Sequence, residues 1–304
     1  MHRGFIILLR TYLRLAPFDK GKWRVIEILR RHLASNPLQV ILRMRSGILI
    51  NADTSDFIQR EVFIKSEFEP EVENVLRAFL RPGDTFVDVG ANIGIFSLLA
   101  AQIVGPSGRV IAFEPVPITL EKLRANILLN NLQNITVVPV ALSDETKRGF
   151  IHLDGENNSG ASSFRKSRNS RECVDVAIDT FDRYAEAHLA TAPRLIKIDV
   201  EGAEVRVLRG MQQLLASTDR PPIVLEVSEG SLLKLGSSKE ELFEIASAHG
   251  YTTREISKHR KSIFAGPEEW YQYDVLLEPP TTQSGTVLFG EGDIIIDNIA
   301  LAGR

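Results

Sequence analysis

Four acidic residues stand at the end of, or directly after, short apolar runs that are typical of buried strands. They are Asp88, Glu114, Asp199 and Glu226. If these runs are parallel strands, their carboxyl ends meet at one edge of the sheet, where open α/β sheets bind ligands. Carboxylates gathered there can accept hydrogen bonds from ligand hydroxyl and amino groups and can take a proton from a reacting group. The pattern therefore predicts a small-molecule site with acid–base chemistry.

A glycine-containing turn follows the first of these strands, in the run Thr85-Phe-Val-Asp-Val-Gly-Ala-Asn-Ile-Gly94. Gly90 allows the backbone to turn sharply and lets a ligand approach it closely. A dinucleotide fingerprint needs G-x-G-x-x-G, but Asn92 occupies its middle position. An acid just before the turn also repels a pyrophosphate and suits a cationic ligand. A nicotinamide-dependent oxidoreductase is therefore the least favoured interpretation.

Two further strand ends hold residues that could recognise a nucleoside. Glu114 could accept both hydroxyls of a ribose, although the helix dipole alone also favours an acid at a helix N-terminus. Ser143 and Asp144 follow the third strand and could face the edge of an adenine. Serine followed by aspartate is also ordinary turn chemistry, so both interpretations stay open.

The elements that would position these residues form an α/β pattern. From residue 84 to about 227, short apolar runs alternate with amphipathic helical stretches, which is typical of a parallel sheet with helices on both faces. The predicted strands are 85–89, 110–113, 135–140, 195–198, 223–227 and 251–256, with a closing strand near 294–301. Residues 259–293 are predicted to be irregular, because they contain Pro279-Pro280 and several glycines.

Composition limits the class of protein. The chain has 304 residues, of which 44% are apolar and 25% charged, and its net charge is −3. These values exclude a wholly disordered or fibrous chain, and the net charge gives no indication of a nucleic-acid partner. Cys173 is the only cysteine, so no internal disulfide and no cysteine metal site can form. We expect a cytoplasmic protein.

The first 36 residues are basic, with eight lysines and arginines against two acids. Ile26, Leu29 and Leu33 recur at helical spacing and predict an amphipathic helix. This helix either packs on the main domain or contacts an anionic membrane surface or a lipid-linked substrate. The longest apolar run, residues 5–9, is far shorter than the ~20 residues that a membrane span needs.

Three segments taken together resemble FkbM-type methyltransferases. They are the turn Asp88-Val-Gly-Ala-Asn-Ile-Gly94, the Phe113-Glu-Pro115 segment and the run Lys197-Ile-Asp-Val-Glu-Gly-Ala-Glu204. The resemblance implies an α/β, class I methyltransferase fold, a Rossmann-like, mostly parallel seven-stranded sheet whose last strand is antiparallel. It also implies methyl transfer from S-adenosylmethionine (SAM), in this family mostly to hydroxyl oxygens of sugars or other natural products.

The resemblance covers about residues 67–256 and also suggests how the chain is divided. We expect residues 1–66 to form a basic, largely helical extension and residues 67–304 to form the methyltransferase domain. Carried over by position, the resemblance also assigns the cofactor site. The residues assigned to the methionine part of SAM are Asp88, Gly90, Ala91, Asn92 and Gly94. The nucleoside is assigned to Glu114, beside Pro115, and to Asp144 with Ser143. Asp199 is expected to lie next to the methyl group.

The acceptor needs a group that takes its proton, because an alcohol is a poor nucleophile until it begins to lose that proton. The candidate general bases are Asp199, Glu201 and Glu226. The same three could supply oxygen ligands to magnesium. However, the Asp-Asn pair of the metal-dependent catechol-type enzymes is absent after the fifth strand, so we expect no metal.

Residues 154–172 are polar and are predicted to be a long loop. As a lid over the acceptor, the loop would offer Asn158, Ser162 and Ser163 to sugar hydroxyls and Arg165 to an anionic group. The alternative is a solvated loop without contact to a ligand.

The sequence therefore predicts a SAM-dependent O-methyltransferase that acts on a sugar, a glycolipid or another small hydroxylated molecule. A methyltransferase acting on RNA or on nitrogen is less favoured, because Asp199-Val-Glu-Gly stands where amino-directed enzymes often carry Asn/Asp-Pro-Pro and an aromatic residue. A non-catalytic binding protein on the same fold is the remaining alternative. The sequence specifies neither the acceptor nor the oligomeric state.

Overall fold

A computed structural model of the chain describes residues 3–15, 22–154, 170–257, 260–261 and 271–280. The helices in this part are α1 (Arg3–Leu15), α2 (Lys22–Ser35), α3 (Phe57–Lys65), α4 (Pro70–Phe79), α5 (Ile95–Val104), α6 (Pro117–Leu129), α7 (Phe181–His188), α8 (Glu204–Arg209), α9 (Gln212–Ala216), α10 (Glu229–Lys234) and α11 (Lys239–Ala248). The strands are β1 (Gln39–Arg43), β2 (Leu49–Asp53), β3 (Thr85–Val89), β4 (Arg109–Phe113), β5 (Ile135–Val138), β6 (Val140–Leu142), β7 (Lys147–Asp154), β8 (Ser170–Asp179), β9 (Leu195–Ile198), β10 (Ile223–Ser228), β11 (Thr252–Glu255), β12 (Arg260–Lys261) and β13 (Tyr271–Glu278).

The main sheet has the strand order β11-β13-β10-β9-β3-β4-β5, with the short β12 paired to β13. Strands β10, β9, β3, β4 and β5 pair in parallel, whereas β13 runs antiparallel to both of its long neighbours. This is the expected Rossmann-like α/β sheet of seven principal strands. The first and fourth strands have the predicted bounds, because each is a short, largely apolar run in which nearly every residue is buried, Asp88 and Lys197 included.

The two faces of the sheet are covered by different helices, because successive side chains of a strand point in opposite directions. Val87 and Val89 of β3 pack with the core that α8, α9 and α11 cover. Phe86 of the same strand packs instead with α4 and α5 on the other face. Both faces are therefore apolar, as the unbroken apolar runs of the strands predict.

The predicted third strand, residues 135–140, is wrong in its extent. The main sheet keeps only Ile135–Val138, and Val140–Leu142 pairs with β8 in a separate three-stranded sheet. Pro139 separates the two strands, and proline has no N–H with which to continue a ladder. The chain therefore changes sheets at this residue, close to the carboxyl end of β5.

The prediction that residues 259–293 are irregular is wrong for the strands Arg260–Lys261 and Tyr271–Glu278. Tyr271–Glu278 forms β13, which inserts between β10 and β11 with Glu226 opposite Asp274. Val275, Leu276 and Leu277 are buried, so this strand contributes to both faces of the core. The predicted closing strand near residues 294–301 lies outside the described residues.

The N-terminal elements pack on the main sheet's helices as well as on one another. A core cluster joins Leu29 and Leu33 of α2 to Ile50 of β2 and to Ile95 and Leu98 of α5. Whether the chain divides at residue 66 stays a prediction. Among the described helices, none combines the length and the apolar character needed to cross a membrane.

Candidate functional site

A cavity of about 590 Å³ opens at the carboxyl ends of β3, β4, β9 and β10. Its other walls come from α3, from the segment before α4 and from β6. The volume falls within the range of small-molecule sites in proteins. The parallel strands position this site, because their ends bring residues distant in sequence to one edge of the sheet.

The glycine turn after β3 forms the floor of the cavity at the centre of the sheet. The N–H groups of Gly90 and Ala91 donate to the carbonyl oxygen of Phe113 at 3.0 and 2.9 Å. Gly90 has a φ of +84°, and a Cβ built there would lie 1.8 Å from the carbonyl oxygen of Asp199. Only glycine fits, because the position combines a left-handed backbone with contact to the end of β9.

The Glu114 carboxylate lies beside this turn at the end of β4. It accepts hydrogen bonds from the N–H groups of Asn92 and Val116, each at 2.9 Å. Burial raises the pKa of Glu114 to about 7, against the effect of these two bonds. Each carboxylate oxygen offers two lone pairs, so Glu114 keeps capacity to accept hydrogen bonds from a ligand.

An apolar wall next to Glu114 was not predicted from the sequence. It consists of Val116, Val140, Ala141, Leu142 and Ile151. The sequence did not indicate this wall, because three of its residues belong to β6. In the sequence, β6 cannot be distinguished from the apolar run of the preceding strand. Such a wall suits the face of a flat, weakly polar ring.

Ser143 and Asp144 follow this wall but do not line the cavity. The Ser143 hydroxyl donates to Asp144 at 3.0 Å, and its N–H donates to the carbonyl oxygen of Asp179. A Cβ built at Gly210 would lie 2.0 Å from the Ser143 carbonyl oxygen, so this segment packs against the end of α8. These contacts are those of a structural turn, and the cofactor role of both residues stays a prediction.

A buried charge cluster lies beneath the glycine turn. Lys197 Nζ is 2.8 Å from Asp199 Oδ2 and 5.0 Å from the ring centre of Phe96. Asp88 is 1% exposed, accepts a 2.5 Å hydrogen bond from the Ser97 hydroxyl, and is not part of the cavity surface. Desolvation acts to lower the pKa of Lys197, but the charges of Asp199 and Asp88 outweigh it and raise that pKa.

The three candidate bases Asp199, Glu201 and Glu226 converge at the cavity. Each offers a carboxylate oxygen, and these oxygens lie within 4.8 Å of one another. Burial raises the pKa of Glu226 well above its usual range, and the charges of Asp199 and Glu201 add to this effect. Burial and the Asp199 charge raise the pKa of Glu201 in the same way. Carboxyl groups of this kind bind a proton more readily than exposed ones.

Glu204 holds the loop that carries Glu201. Its Oε1 accepts hydrogen bonds from the N–H groups of Val200 and Gly202 at 3.1 and 3.0 Å. Glu201 has a φ of +53°, so this loop needs such support. Glu204 is fully buried, and that burial raises its pKa to about 7.

Replacing Glu204 with glutamine tests this support through its pH dependence. The folded-state pKa near 7 lies above the ordinary value of 4.5, so the wild type loses stability from this group as the pH rises between those values. Glutamine keeps an oxygen for both N–H groups and carries no charge. We expect Glu204→Gln to gain on the order of 2 to 3 kcal/mol relative to the wild type between about pH 5 and about pH 8.

Urea unfolding at both pH values measures this change, and Glu121→Gln, on the exposed face of α6, is the matched control. An equal change in both variants would contradict the assignment.

The N-terminal elements contribute a charged rim to the cavity. Arg30 of α2 makes a bidentate ion pair with Glu61 of α3 at 2.5 and 2.6 Å, and Lys65 lies 3.1 Å from the same carboxylate. All three residues line the cavity. Glu69, which precedes α4, lines it as well and was not assigned a role from the sequence. These residues were missed because they lie far in sequence from the motif segments.

The structure brings most of the predicted site residues to this cavity. Those that line it are Gly90, Ala91, Asn92, Glu114, Pro115, Asp199, Glu201 and Glu226. Gly94 instead begins α5 with a φ of +95°, and a Cβ there would lie 2.4 Å from Leu123 Cδ1. The predicted substrate residues Asn158, Ser162, Ser163 and Arg165 lie outside the described residues, as does most of the predicted lid.

Comparison with known proteins adds a family and several relatives. The family model of the methyltransferase FkbM domain matches residues 88–253. The chain is 31% identical over 260 residues to the 31-O-demethyl-FK506 methyltransferase FkbM of Streptomyces tacrolimicus, which covers 75% of this chain and 93% of that protein. It is 27% identical over 162 residues to the hexuronic acid methyltransferase AglP of Haloferax volcanii, covering 53% of this chain and 63% of AglP.

A third relative is much longer than this chain. The AMB antimetabolite synthetase AmbE of Pseudomonas aeruginosa is 26% identical over 261 residues, which are 74% of this chain but 12% of AmbE. The chain thus spans a small part of AmbE, just under two thirds of AglP and nearly the whole of FkbM.

Proposed function

We propose that this chain, which belongs to the FkbM methyltransferase family, uses SAM to methylate a hydroxyl oxygen of a sugar or another small natural product. One observation carries the proposal. The same cavity joins the glycine turn and Glu114 at one side to Asp199, Glu201 and Glu226 at the other. The residues proposed to bind the nucleoside and those proposed to accept a proton are therefore adjacent.

The cavity residues fit SAM by charge and shape. The glycine turn would lie against the methionine part, because Gly90, Ala91 and Asn92 all line the cavity. Glu114 would accept the ribose hydroxyls, and the apolar wall of β6 and β7 would cover the adenine. Asn92 supports the fit, because its Oδ1 is buried without a partner among the described residues and lies at the cavity.

The carboxylates at the strand ends would prepare the acceptor. Bound SAM supplies an electrophilic methyl carbon. As the acceptor oxygen replaced sulfur at that carbon and S-adenosylhomocysteine was released, the hydroxyl proton would pass to an ionised carboxylate among Asp199, Glu201 and Glu226. The Lys197 ammonium holds Asp199 in place at 2.8 Å. Alignment of the acceptor in the cavity supplies much of the remaining rate enhancement.

The relatives support a hydroxylated acceptor. AglP is a hexuronic acid methyltransferase and FkbM is a 31-O-demethyl-FK506 methyltransferase, as their names state. Arg30 and Lys65 of the cavity rim would be the cations that meet an anionic group of an acceptor; in the described structure Glu61 pairs with both, and Glu27 also lies 3.9 Å from Arg30.

The proposal can be tested by incubating the purified chain with SAM and a panel of monosaccharides, hexuronic acids and lipid-linked sugars. We expect mass spectrometry to detect S-adenosylhomocysteine only when a hydroxylated acceptor is present. Asp199→Asn should lower kcat about hundredfold or more, because it removes a proton acceptor. Asp219→Asn, at an exposed site, is the matched control.

Two results would contradict the proposal. SAM binding without turnover of any acceptor would favour a non-catalytic binding protein. Methylation of RNA or of an amine, with no reaction of hydroxyl groups, would favour the nitrogen-directed alternative.

The exposed apolar side chains of α1 and α2 support an acceptor carried by a lipid. They are Phe5, Ile7, Leu8, Tyr12, Trp23 and Ile28. Apolar residues among lysines and arginines suit the surface of an anionic bilayer. Arg30 of α2 lines the cavity, so one helix would border both the membrane and the acceptor.

Co-sedimentation with vesicles tests this contact. We expect the chain to pellet with anionic vesicles at low salt and to be released at high salt. Leu8→Ser/Trp23→Ser should reduce pelleting severalfold, because both side chains are more than 60% exposed on these helices. Phe150→Ser/Leu233→Ser removes two exposed apolar side chains elsewhere and should not change it. A wild-type chain that stays in the supernatant at low salt would refute the contact.

A further inference from the structure

Four carboxyl groups line the side of the cavity that is proposed to hold the acceptor, and a fifth, that of Asp274, lies next to them. Two groups of three have carboxylate oxygens within 4.8 Å of one another, and both include Glu226. One group adds Asp199 and Glu201, and the other adds Glu69 and Asp274. Such spacings are compatible with oxygen ligands on one side of a metal ion, because ligands at about 2 to 2.6 Å from a common ion lie only a few ångströms apart.

The second observation is a buried carboxylate oxygen of Glu226 that lacks a hydrogen-bond partner among the described residues. The Glu226 side chain is 4% exposed and lies at the cavity. Its Oε1 accepts a hydrogen bond from the Gln272 amide. Its Oε2 is buried and has no hydrogen-bond partner among the described residues. A buried oxygen without a partner is costly, and a cation bound beside it would remove that cost.

Two ammonium groups among the described residues act on the carboxyl groups of this cluster. Lys197 pairs with Asp199 at 2.8 Å, and the Lys234 charge also acts on Glu201. The carboxyl groups of Asp199, Glu201, Glu69 and Asp274 act on Glu226, whose hydrogen bond among the described residues comes from the neutral Gln272 amide. Carboxylate oxygens without histidine or cysteine favour hard cations such as Mg²⁺, Ca²⁺ or Mn²⁺.

We propose that Asp199, Glu201 and Glu226 bind one divalent cation at the acceptor side of the cavity. All three side chains line the cavity, so an ion there would keep open positions for water or for acceptor hydroxyls. Glu69 and Asp274 add negative charge behind the site. This proposal departs from the expectation, drawn from the sequence, that the protein holds no metal.

The role of the ion rests on the proposed function. A hydroxyl bound to a divalent cation loses its proton more easily. Each ligating carboxylate has a second oxygen, which can take that proton. The acceptor oxygen would then attack with more negative charge, and two neighbouring hydroxyls of a sugar could both reach the ion.

Calorimetric titration of the chelator-treated full chain with MnCl₂, without SAM, tests the site directly. We expect saturable binding of one ion, with MgCl₂ or CaCl₂ competing for it. Glu226→Gln keeps the shape of the side chain and should weaken Mn²⁺ binding about tenfold or more. Glu201→Gln, at a half-buried site, should also weaken Mn²⁺ binding. This second variant keeps the test informative if Glu226→Gln does not fold. Glu121→Gln, exposed on α6, should bind as the wild type does.

The cation site and the methyltransferase function can fail separately. A flat titration with all three ions, or unchanged affinity in Glu226→Gln and Glu201→Gln, would overturn the cation site. Full methyl transfer by chelator-treated protein would leave the proposed function intact and remove the ion's role in it. Saturable Mn²⁺ binding that both glutamine variants weaken would support the site whether or not an acceptor has been found.

Discussion

Lys197→Met is expected to destabilise the folded chain by about 3 to 5 kcal/mol at neutral pH. The Lys197 side chain is 4% exposed and is ion-paired with Asp199 at 2.8 Å. Asp88 beneath it is 1% exposed, and its Oδ1 has no hydrogen-bond partner among the described residues. Methionine fills a similar volume but leaves both carboxylates without the ammonium, and an unpaired buried charge is costly.

Lys239→Met is the matched control for this prediction. Lys239 is also 2.8 Å from its partner Glu229, but its side chain is 37% exposed, so the loss should be below about 1 kcal/mol. Adding Asp88→Asn to Lys197→Met should restore part of the stability, because it removes one of the unpaired charges. Denaturant unfolding measures all four proteins. Equal losses in the two lysine variants would contradict the role given to Lys197.

Gly90→Ala is expected to abolish measurable SAM binding. The new Cβ would lie 1.8 Å from the Asp199 carbonyl oxygen, a separation that real Cβ atoms do not show. Either the turn or the end of β9 must move, and both would displace groups proposed to bind the cofactor. A displacement of about 1 Å at such a site can cost on the order of a hundredfold.

Gly47→Ala separates this steric effect from the cost of the backbone conformation. Gly47 has a φ of +97°, close to that of Gly90, but a Cβ built there would have no atom within 4 Å. Its replacement should cost about 1 to 2 kcal/mol of stability and leave SAM affinity unchanged. Calorimetry with SAM and thermal unfolding compare the variants. SAM binding of wild-type strength in Gly90→Ala would refute the placement of the cofactor at this turn.

The strands at the centre of the sheet were predictable because burial on both faces makes them largely apolar runs. Thr85–Val89 and Leu195–Ile198 have the predicted bounds, and the acids at their ends line or underlie the cavity. The edge of the sheet was less predictable. Tyr271–Glu278 precedes Pro279-Pro280, and those turn residues concealed a strand that is stabilised by pairing with β10 and β11.

The residues of the candidate site likewise include some that were predictable from the sequence and some that were not. Asp199 and Glu226 were recognisable because each belongs to a strand end within a motif or an apolar run. Asp274 meets Glu226 through an antiparallel register that no local pattern specifies. Glu69 lies before a helix with a φ of +41°, and its approach to the other acids depends on tertiary packing. Local sequence therefore predicted the part of the acidic cluster that lies in the motif segments, and long-range contacts supplied the rest.

The most direct test of the central claim is a calorimetric titration of the purified chain with SAM, with NAD as the competing cofactor and Glu114→Ala as the variant. Glu114 is the proposed ribose contact, and losing hydrogen bonds to a charged group should weaken SAM binding about tenfold or more. The account predicts saturable SAM binding, weaker binding in Glu114→Ala and no binding of NAD. Binding of NAD in preference to SAM, or SAM affinity that does not depend on Glu114, would contradict it.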